Sequence, residues 1–173
     1  FIGSNLIIIL LKRKFRVLNI DRLSYASNKY NLKEIKSKNY SFKKVDISNK
    51  NKILKIIKNF KPDCIFNLAA ETHVDRSIDN PSSFIQNNIN GVFGLLEAIR
   101  DYKRKYKKKI RLVHVSTDEV YGDIKGSKRS LENDLYMPSS PYSASKASAD
   151  HLIQSYVRTY NLDAVISNCS NNY

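Results

Sequence analysis

Long apolar runs are missing from this 173-residue chain, in which no stretch of about 18 consecutive apolar residues occurs. The sequence therefore predicts no membrane-spanning helix. Cysteine is also scarce: Cys64 and Cys169 each lie in an apolar run, and neither has a partner at the spacing of metal ligands. We expect two free, buried thiols, no metal site and the reducing environment of the cytoplasm.

Acidic residues are few as well, since 16 Asp and Glu face 30 Lys and Arg and leave a formal net charge of +14. This excess raises the question of a nucleic-acid partner. The densest basic run, at 103–109, lies at the end of a helical pattern, where cations interact favourably with the helix dipole. The other lysines are scattered, and no nucleic-acid-binding module accompanies them. We predict no nucleic-acid partner and keep a non-catalytic basic binding protein as the remote alternative.

Apolar, β-branched runs alternate along the chain with patterns typical of helices. Strands are predicted at 16–20, 40–45, 64–70, 110–115 and 164–168, helices at 6–11, 32–38, 50–60, 81–107 and 141–160, and a loop at 122–140. This alternation indicates a parallel sheet that is covered by helices on both faces and connected by right-handed crossovers. No repeat or linker divides the chain. Residues 1–173 are therefore predicted to form one doubly wound, Rossmann-like α/β domain.

Tyr142 and Lys146 stand four residues apart in the run P-Y-S-A-S-K. Ser139 and Ser140 can cap a helix that has Pro141 in its first turn, and residues four apart on a helix share a face. The ammonium is thus expected beside the phenol. A fixed positive charge favours a phenolate, whose pKa is ordinarily about 10. We expect Tyr142 to have a lowered pKa and to serve as a base.

A second cluster, Ser116-Thr117-Asp118-Glu119, follows the predicted strand at 110–115. In an open parallel sheet the ligand crevice lies beyond the carboxyl ends of the strands. A hydroxyl and two adjacent carboxylates at such a position suit an elimination, which needs an acid and a base near one pair of carbons. The residues alone leave open which carboxyl is the acid and which is the base.

Half of a dinucleotide-binding pattern is present near the start of the chain. Gly3 begins a helix and Asp21 closes the next strand, which is the expected distance for a ribose-binding carboxylate that repels a 2′-phosphate and favours NAD. The preceding strand and the first two glycines are absent, so we expect a fragment that is cut within its phosphate-binding loop. Asp46-Ile47 and 68–71 follow two further strands, and the alanines at 69 and 70 would let a ligand approach the backbone closely.

Five segments in family order resemble the extended short-chain dehydrogenase/reductase family and, within it, the dTDP-glucose 4,6-dehydratases. The segments are F-I-G-S, L-A-A-E-T-H-V-D-R-S-I, V-S-T-D-E-V-Y-G-D, P-S-S-P-Y-S-A-S-K-A-S-A-D-H-L and N-C-S-N-N-Y. The resemblance implies tightly held NAD, a nucleotide-sugar substrate, and conversion of dTDP-glucose to dTDP-4-keto-6-deoxyglucose. The sugar epimerases of the family lack the Asp-Glu pair, so the Thr-Asp-Glu triplet argues against a 4-epimerase.

The resemblance also implies a role for each residue of the two clusters. Tyr142, assisted by Lys146, removes the proton of the sugar C4 hydroxyl while the C4 hydride passes to NAD. Glu119 then removes the C5 proton, and Asp118 protonates the departing C6 hydroxyl. Thr117 contacts the oxygen at C4, and the hydride returns to C6.

Further contacts are implied by position within the family motifs. Thr72 and Asn171 join Thr117 as substrate contacts. Thr72 replaces the usual Ser, and Asn87 replaces a common Thr. The implied cofactor contacts are Ile2, Gly3, Asp21, Arg22, Leu23, Ser24, Asp46, Ile47, Leu68, Ala69, Ala70, Glu71, Asn87, Tyr142, Lys146 and Asn172.

Some alternatives stay open at the level of sequence. Members of the family continue into a smaller domain that binds the nucleotide, so the preference for dTDP cannot be read from these residues. A dehydratase of UDP-glucose or GDP-mannose would use the same catalytic mechanism. Family members usually form homodimers through two long helices, and the small side chains of Ala144, Ala147 and Ser148 would permit close packing. We expect the fragment alone to be inactive and poorly soluble, because its sheet edges are exposed.

Overall fold

The computed structural model describes residues 1–124, 126 and 129–172, and for Lys29 the backbone only. Tyr173, the last residue of the segment N-C-S-N-N-Y, and positions 125, 127 and 128 of the predicted 122–140 loop lie outside the described residues. Helices and strands alternate as predicted with two exceptions: only a 3₁₀ turn separates the first two strands, and an additional short helix follows the third strand. The helices are α1 (Ile2–Lys12), α2 (Lys50–Phe60), α3 (Val74–Asp79), α4 (Pro81–Phe84), α5 (Gly91–Tyr106) and α6 (Pro141–Tyr160), and the strands are β1 (Val17–Asp21), β2 (Tyr40–Lys44), β3 (Cys64–Asn67), β4 (Arg111–Thr117) and β5 (Asp163–Cys169).

All strand pairs are parallel and fall into two sheets. β1 pairs with β2, and β4 lies between β3 and β5. Across the described residues, no ladder joins β1 to β3, although Ile20 of β1 and Ile65 of β3 pack against the same core. The two sheets therefore share one core, while one edge of β1 and one edge of β3 carry no strand partner from the described part of the chain.

The core lies between the three-stranded sheet and the helices α2, α5 and α6. Its most buried apolar side chains come from each of these elements, and those at most 2% exposed include Ile53, Leu96, Ile99, Leu112 and Ile153. Burial of one such side chain stabilises the fold by about 1.5–3 kcal/mol. This packing fixes α6 against β4 and so positions the residues at the end of that strand.

Two predicted boundaries are wrong for local reasons. The helix predicted at 32–38 is replaced by one 3₁₀ turn at Lys29–Leu32, where the Asn28 side chain accepts a hydrogen bond from the Tyr30 amide. The strand predicted at 64–70 ends at Asn67, whose side chain accepts from the Ala69 amide at 3.3 Å. In both places a side chain that bonds to the nearby backbone competes with the regular element.

The long helix predicted at 81–107 is one helical stretch with an irregular middle. α4 passes through a π-helical segment, Ile85–Asn90, into α5. A Cβ on Gly94 would lie 2.6 Å from the Ser48 carbonyl oxygen, and one on Gly91 would lie 3.1 Å from the Ile47 side chain. These glycines let α5 approach the segment after β2 more closely than any larger residue allows.

Both cysteines are free thiols, as predicted, but neither is fully buried. They lie on β3 and β5, the outer strands of the three-stranded sheet, which explains their partial exposure. Burial still raises the pKa of the Cys64 thiol. Among the described residues, no helix combines the length and apolar character needed to cross a bilayer, and no group of His, Cys, Asp or Glu is arranged to hold a metal ion.

Candidate active site

The carboxylate cluster lies at the carboxyl end of β4, as the sequence predicted. Thr117 is the last residue of the strand, and Asp118 and Glu119 begin a 3₁₀ turn, Asp118–Tyr121. The Thr117 hydroxyl accepts a hydrogen bond from the Glu119 amide and also lies 3.3 Å from an Asp118 carboxylate oxygen. Thr117 therefore fixes the backbone from which both carboxylates project.

The predicted start of α6 is confirmed in detail. Ser140 caps the helix, exchanges a reciprocal pair of hydrogen bonds with Ser143, and is followed by Pro141 in the first turn. Tyr142 and Lys146 are 7% and 3% exposed, so neither belongs to a solvated helix face. The Tyr142 ring meets Phe84 edge-on, with ring centroids 6.3 Å apart. Capping and packing together hold the phenol in a defined position.

The pKa of Tyr142 moves opposite to the prediction. Burial raises it, and the nearby charges of Glu119, Asp118 and Asp150 add to this effect, while a hydrogen bond with Thr117 works against it. Burial also lowers the pKa of Lys146 to about 8. The prediction of a lowered phenol pKa is therefore wrong for the chain by itself, because burial and three carboxylates outweigh the hydrogen bond with Thr117. The Lys146 ammonium, expected beside the phenol, contacts Val115 and His114 instead.

Glu119 stands in an environment that makes its carboxylate more basic. Burial raises its pKa, and the neighbouring charge of Asp118 raises it further. A raised pKa suits proton exchange near neutral pH. The raised pKa suits Glu119 for a proton-transfer role, and the division of the acid and base roles between the two adjacent carboxyls stays a prediction.

Arg22 brings together four of the predicted cofactor contacts. Its guanidinium lies 2.5 Å from a Glu71 oxygen and 3.6 Å from an Asp46 oxygen, and it also donates to the side-chain oxygen of Asn87. Burial alone would raise the pKa of Asp46, but hydrogen bonds from Ser48 and the charge of Arg22 hold it below its usual value. These groups come from loops after three different strands and from the π-helical segment.

A cleft of about 470 Å³ adjoins this cluster and is lined by Arg22, Tyr25, Glu71, Arg76, Asp79, Asn80, Ser83, Phe84 and Asn87. Phe84 is the residue that also packs against Tyr142. The Phe84 ring thus lies between the cleft and Tyr142. The two halves of the predicted site therefore belong to one region of the fold.

Asp21 is exposed at the end of β1, where the next residues wrap around it. Its Oδ1 accepts hydrogen bonds from the Leu23 amide at 2.6 Å and from the Ser27 hydroxyl at 3.3 Å. Leu23 has a φ of 61°, which closes this tight turn. The predicted contacts Arg22 to Ser24 thus form the turn that presents the carboxylate.

Several predicted contacts are not joined to these clusters. Thr72, Asn171 and Asn172 are exposed, and within the described part of the chain none of them hydrogen-bonds to Tyr142 or the carboxylate pair. Ile2 is exposed at the start of α1, and Gly3 has open space where a side chain would stand. Ile47 and the segment 68–70 flank strand ends. Roles for these residues remain predictions.

Sequence reasoning missed Asn88, which is 1% exposed. Its side chain exchanges two hydrogen bonds with the Glu71 backbone, at 2.8 and 2.9 Å, and donates to the Ser145 hydroxyl at 2.9 Å. It thereby ties the loop after β3 to α6 beside Tyr142. The sequence gives little signal for it, because its neighbours Gln86, Asn87 and Asn90 are polar as well.

His114 and Asp150 were also missed, and they are 1% and 0% exposed. Both lie close to the buried ammonium of Lys146. This ammonium is 3.5 Å from His114 Nε2 and donates a hydrogen bond to the Val115 carbonyl at 2.7 Å. The available signal for Asp150 was its spacing, four residues beyond Lys146 and therefore on the same helix face.

Curated relatives match the whole chain. A protein of Sinorhizobium fredii named probable dTDP-glucose 4,6-dehydratase is 46% identical over 178 residues, and the dTDP-glucose 4,6-dehydratase of Neisseria meningitidis is 44% identical over 180 residues. In each case the alignment takes in 100% of this chain and 51% of the relative. The chain thus spans about half the length of the curated relatives it matches.

Solved structures show the same fold. DesIV, a dTDP-glucose 4,6-dehydratase from Streptomyces venezuelae solved with NAD and TYD bound, matches with a TM-score of 0.91 and 38% identity over 100% of this chain and 53% of DesIV. The UDP-glucose 4-epimerase of Thermus thermophilus, solved with NAD, matches with a TM-score of 0.84 and 30% identity over 97% of this chain and 51% of the epimerase. These matches confirm the doubly wound, Rossmann-like fold class. The family described as GDP-mannose 4,6 dehydratase matches residues 1–173, and the chain belongs to it.

Proposed function

We propose that the protein containing this chain is an NAD-dependent 4,6-dehydratase of dTDP-glucose that forms dTDP-4-keto-6-deoxyglucose. The observation that carries the proposal is the pair Asp118 and Glu119 at the end of β4, on the turn that Thr117 caps, beside the buried Tyr142. The names of the curated relatives and of DesIV support dTDP-glucose over UDP-glucose or GDP-mannose. The active site of the chain is thus proposed to combine a redox step with an elimination.

The residues present fit NAD as the cofactor. The Asp21 carboxylate is anchored at the end of β1, where it suits a ribose hydroxyl and repels a 2′-phosphate. Arg22, which could otherwise receive such a phosphate, is held by Asp46, Glu71 and Asn87. When bound, NAD supplies the acceptor for the C4 hydride and the donor of the hydride that returns to C6.

The chain's own side chains move the protons. Tyr142, as phenolate, accepts the proton of the C4 hydroxyl while Thr117 holds the C4 oxygen, which becomes a ketone. The ketone acidifies the C5 proton, which Glu119 accepts. Asp118 protonates the C6 hydroxyl so that water departs and a C5–C6 double bond forms. A proton returned to C5 completes the 4-keto-6-deoxy sugar. Adjacent acid and base groups are what this elimination requires.

A 4-epimerase is the nearest alternative on this scaffold. It oxidises and reduces C4 without breaking the C6–O bond, so its reaction does not need an acid and a base at C5 and C6 such as Asp118 and Glu119. The raised pKa of Glu119 suits proton removal from carbon, which epimerisation at C4 by hydride transfer does not need. We therefore place the dehydratase first.

The proposed enzyme is larger than this chain. Residues 1–173 are proposed to be the NAD-binding and catalytic part of a longer protein, in which a further parallel strand fits between β1 and β3 and a second domain holds the nucleotide. The unpartnered edges of β1 and β3 support the strand. A homodimer through α5 and α6 is supported by the exposed Ala144 and Phe93, and the free thiols suit the cytoplasm.

The test uses the complete protein with dTDP-glucose and NAD, and it follows formation of the 4-keto-6-deoxy product. Glu119→Gln and Tyr142→Phe should each abolish product, whereas the exposed positions Glu34→Gln and Tyr30→Phe serve as matched controls and should not. Turnover of UDP-glucose or GDP-mannose in place of dTDP-glucose would keep the chemistry and replace the substrate. Absence of turnover with all three sugars would overturn the proposal.

A further inference from the structure

Asp150 is a fully buried carboxylate on α6, 0% exposed. Its Oδ2 accepts hydrogen bonds from the Ser116 hydroxyl at 2.6 Å and from the Tyr136 hydroxyl at 3.2 Å. Its Oδ1 is buried and has no hydrogen-bond partner among the described residues. A carboxylate so far from water is costly unless a charge compensates it. The position therefore calls for a functional explanation.

The group that faces the unpartnered oxygen is His114, whose Nε2 lies 3.7 Å from Oδ1. The hydrogen bonds of Asn67 fix the state of this ring: the Asn67 oxygen accepts from the Ala69 amide, so its NH₂ donates to His114 Nδ1 at 3.0 Å. The ring proton is therefore on Nε2. Burial, together with the charge of Lys146, lowers the pKa of His114 to about 3, so the ring is neutral at physiological pH.

Lys146 is the cation of this buried group. Its ammonium lies 3.5 Å from His114 Nε2 and donates to the Val115 carbonyl, and the negative charge of Asp150 acts on it within the same enclosed space. We propose that Asp150 is a positioning residue that holds Lys146 in its ammonium form and thereby sets the pH range in which Tyr142 works as a base. Only the role given to Tyr142 rests on the proposed function.

Burial raises the pKa of Asp150, while the hydrogen bond from Ser116 and the positive charge of Lys146 act against this rise, so Asp150 and Lys146 each favour the charged form of the other. Burial lowers the pKa of Lys146 to about 8, and Asp150 opposes that shift. Asp150 also raises the pKa of Tyr142, after the effects of burial, Glu119 and Asp118. The groups that face Asp150 or Lys146 from the surrounding elements are His114 and Ser116 of β4, Tyr121 and Tyr136 before α6, Tyr142 and His151 of α6, and Cys169 of β5.

The expected consequence is a displaced pH profile. Asp150→Asn keeps the shape of the side chain but removes its charge, so both Lys146 and Tyr142 lose their protons more readily. In the complete protein, both limbs of the kcat/KM profile should move to lower pH by about one unit. A residue that only supports packing would lower activity at every pH and leave the limbs in place.

Three further variants make the test specific. Asp150→Glu restores the charge and should return both limbs toward their positions in the parent, whatever its activity. Asp150→Leu removes the charge in an apolar form that suits a buried site, and it should reproduce the shift if the Asn variant does not fold. Ala149→Gly, at an equally buried neighbouring position, weakens α6 without changing charge and should leave the limbs unmoved.

A readout without turnover separates this inference from the proposed function. The ionisation of Tyr142 can be followed by phenolate absorbance as the difference between the protein and its Tyr142→Phe variant. In the Asp150→Asn background this titration should move to lower pH by about one unit. If it moves while no nucleotide sugar is turned over, the proposed function fails and the inference stands. An unmoved titration in both charge-removing variants would overturn the inference.

Discussion

Lys146 reaches from α6 to β4, where its ammonium donates a hydrogen bond to the Val115 carbonyl over 2.7 Å. The contact joins the helix that carries Tyr142 to the strand that ends in Thr117. It also leaves the ammonium beside His114 and near Asp150, with almost no exposure to water. Lys146 thus has two roles: it fixes α6 against β4, and it places a positive charge in the buried space beside the acid/base cluster.

Replacement of Lys146 by Met should separate these two roles. Loss of the ammonium removes the positive charge one helical turn from Tyr142, so turnover should fall at least about a hundredfold. Asp150 is left without a compensating charge, which should lower the free energy of unfolding by about 3 kcal/mol. Turnover assays and urea denaturation measure the two effects.

The double variant Lys146→Met/Asp150→Leu provides the control for that experiment. Removal of both charges should recover most of the lost stability but none of the turnover. Lys103→Met is the matched surface change, because Lys103 also donates to backbone carbonyls, those of Tyr160 and Asn161. Parental turnover in the Lys146→Met variant would contradict the role given to Lys146.

His114 predicts how stability responds to acid. Its pKa is lowered from 6.5 to about 3, by burial first and by Lys146 second. Between these values the unfolded chain binds a proton that the folded protein does not, so stability falls as the pH falls through this window. The contribution is on the order of 5 kcal/mol. His114→Gln should lose this part of the dependence, which urea midpoints at several pH values would reveal; a variant as acid-sensitive as the parent would refute it.

The parts of the site that the sequence predicted well are those with local causes. Helix spacing places Tyr142 and Lys146 on one face, Ser140 and Pro141 define the start of their helix, and the apolar run of β4 ends at the carboxylate pair. Each inference depends on neighbours within a few positions along the chain. Short-range geometry was therefore enough for the position of the acid/base cluster.

The parts that sequence did not predict depend on packing between distant segments. The contact of Arg22 with Glu71 joins residues 49 positions apart, and that of Asn88 with Ser145 spans 57 positions. The predicted direction of the Tyr142 pKa shift was wrong for the same reason, because the shift is set by burial and by nearby carboxylates, two of which, Asp118 and Glu119, belong to another element. Spacing alone carries no information about burial.

Gly94 offers a test of how the fold supports the cofactor region. A Cβ at this position would lie 2.6 Å from the Ser48 carbonyl oxygen, and the residue has a helical backbone. Gly94→Ala should therefore push α5 away from the segment that holds Asp46 and lower the free energy of unfolding by about 1–3 kcal/mol. Gly3→Ala is the contrasting change, since it meets nothing within 4 Å and should stabilise its helix slightly. Equal effects of the two substitutions on urea denaturation would contradict the close-approach argument.

Arg22→Lys tests whether the guanidinium organises the proposed cofactor site. A lysine keeps the positive charge, but its single ammonium cannot serve Glu71, Asp46 and Asn87 together. The two carboxylates would then repel each other and the loops that carry them would shift. Loss of one charge-assisted hydrogen bond corresponds to about a tenfold weaker affinity for NAD, measurable by titration calorimetry of the complete protein. Arg104→Lys, at an exposed ion pair with Asp101, is the matched control and should leave the affinity unchanged. An Arg22→Lys variant that binds NAD as tightly as the parent would show that these four residues do not form the cofactor site.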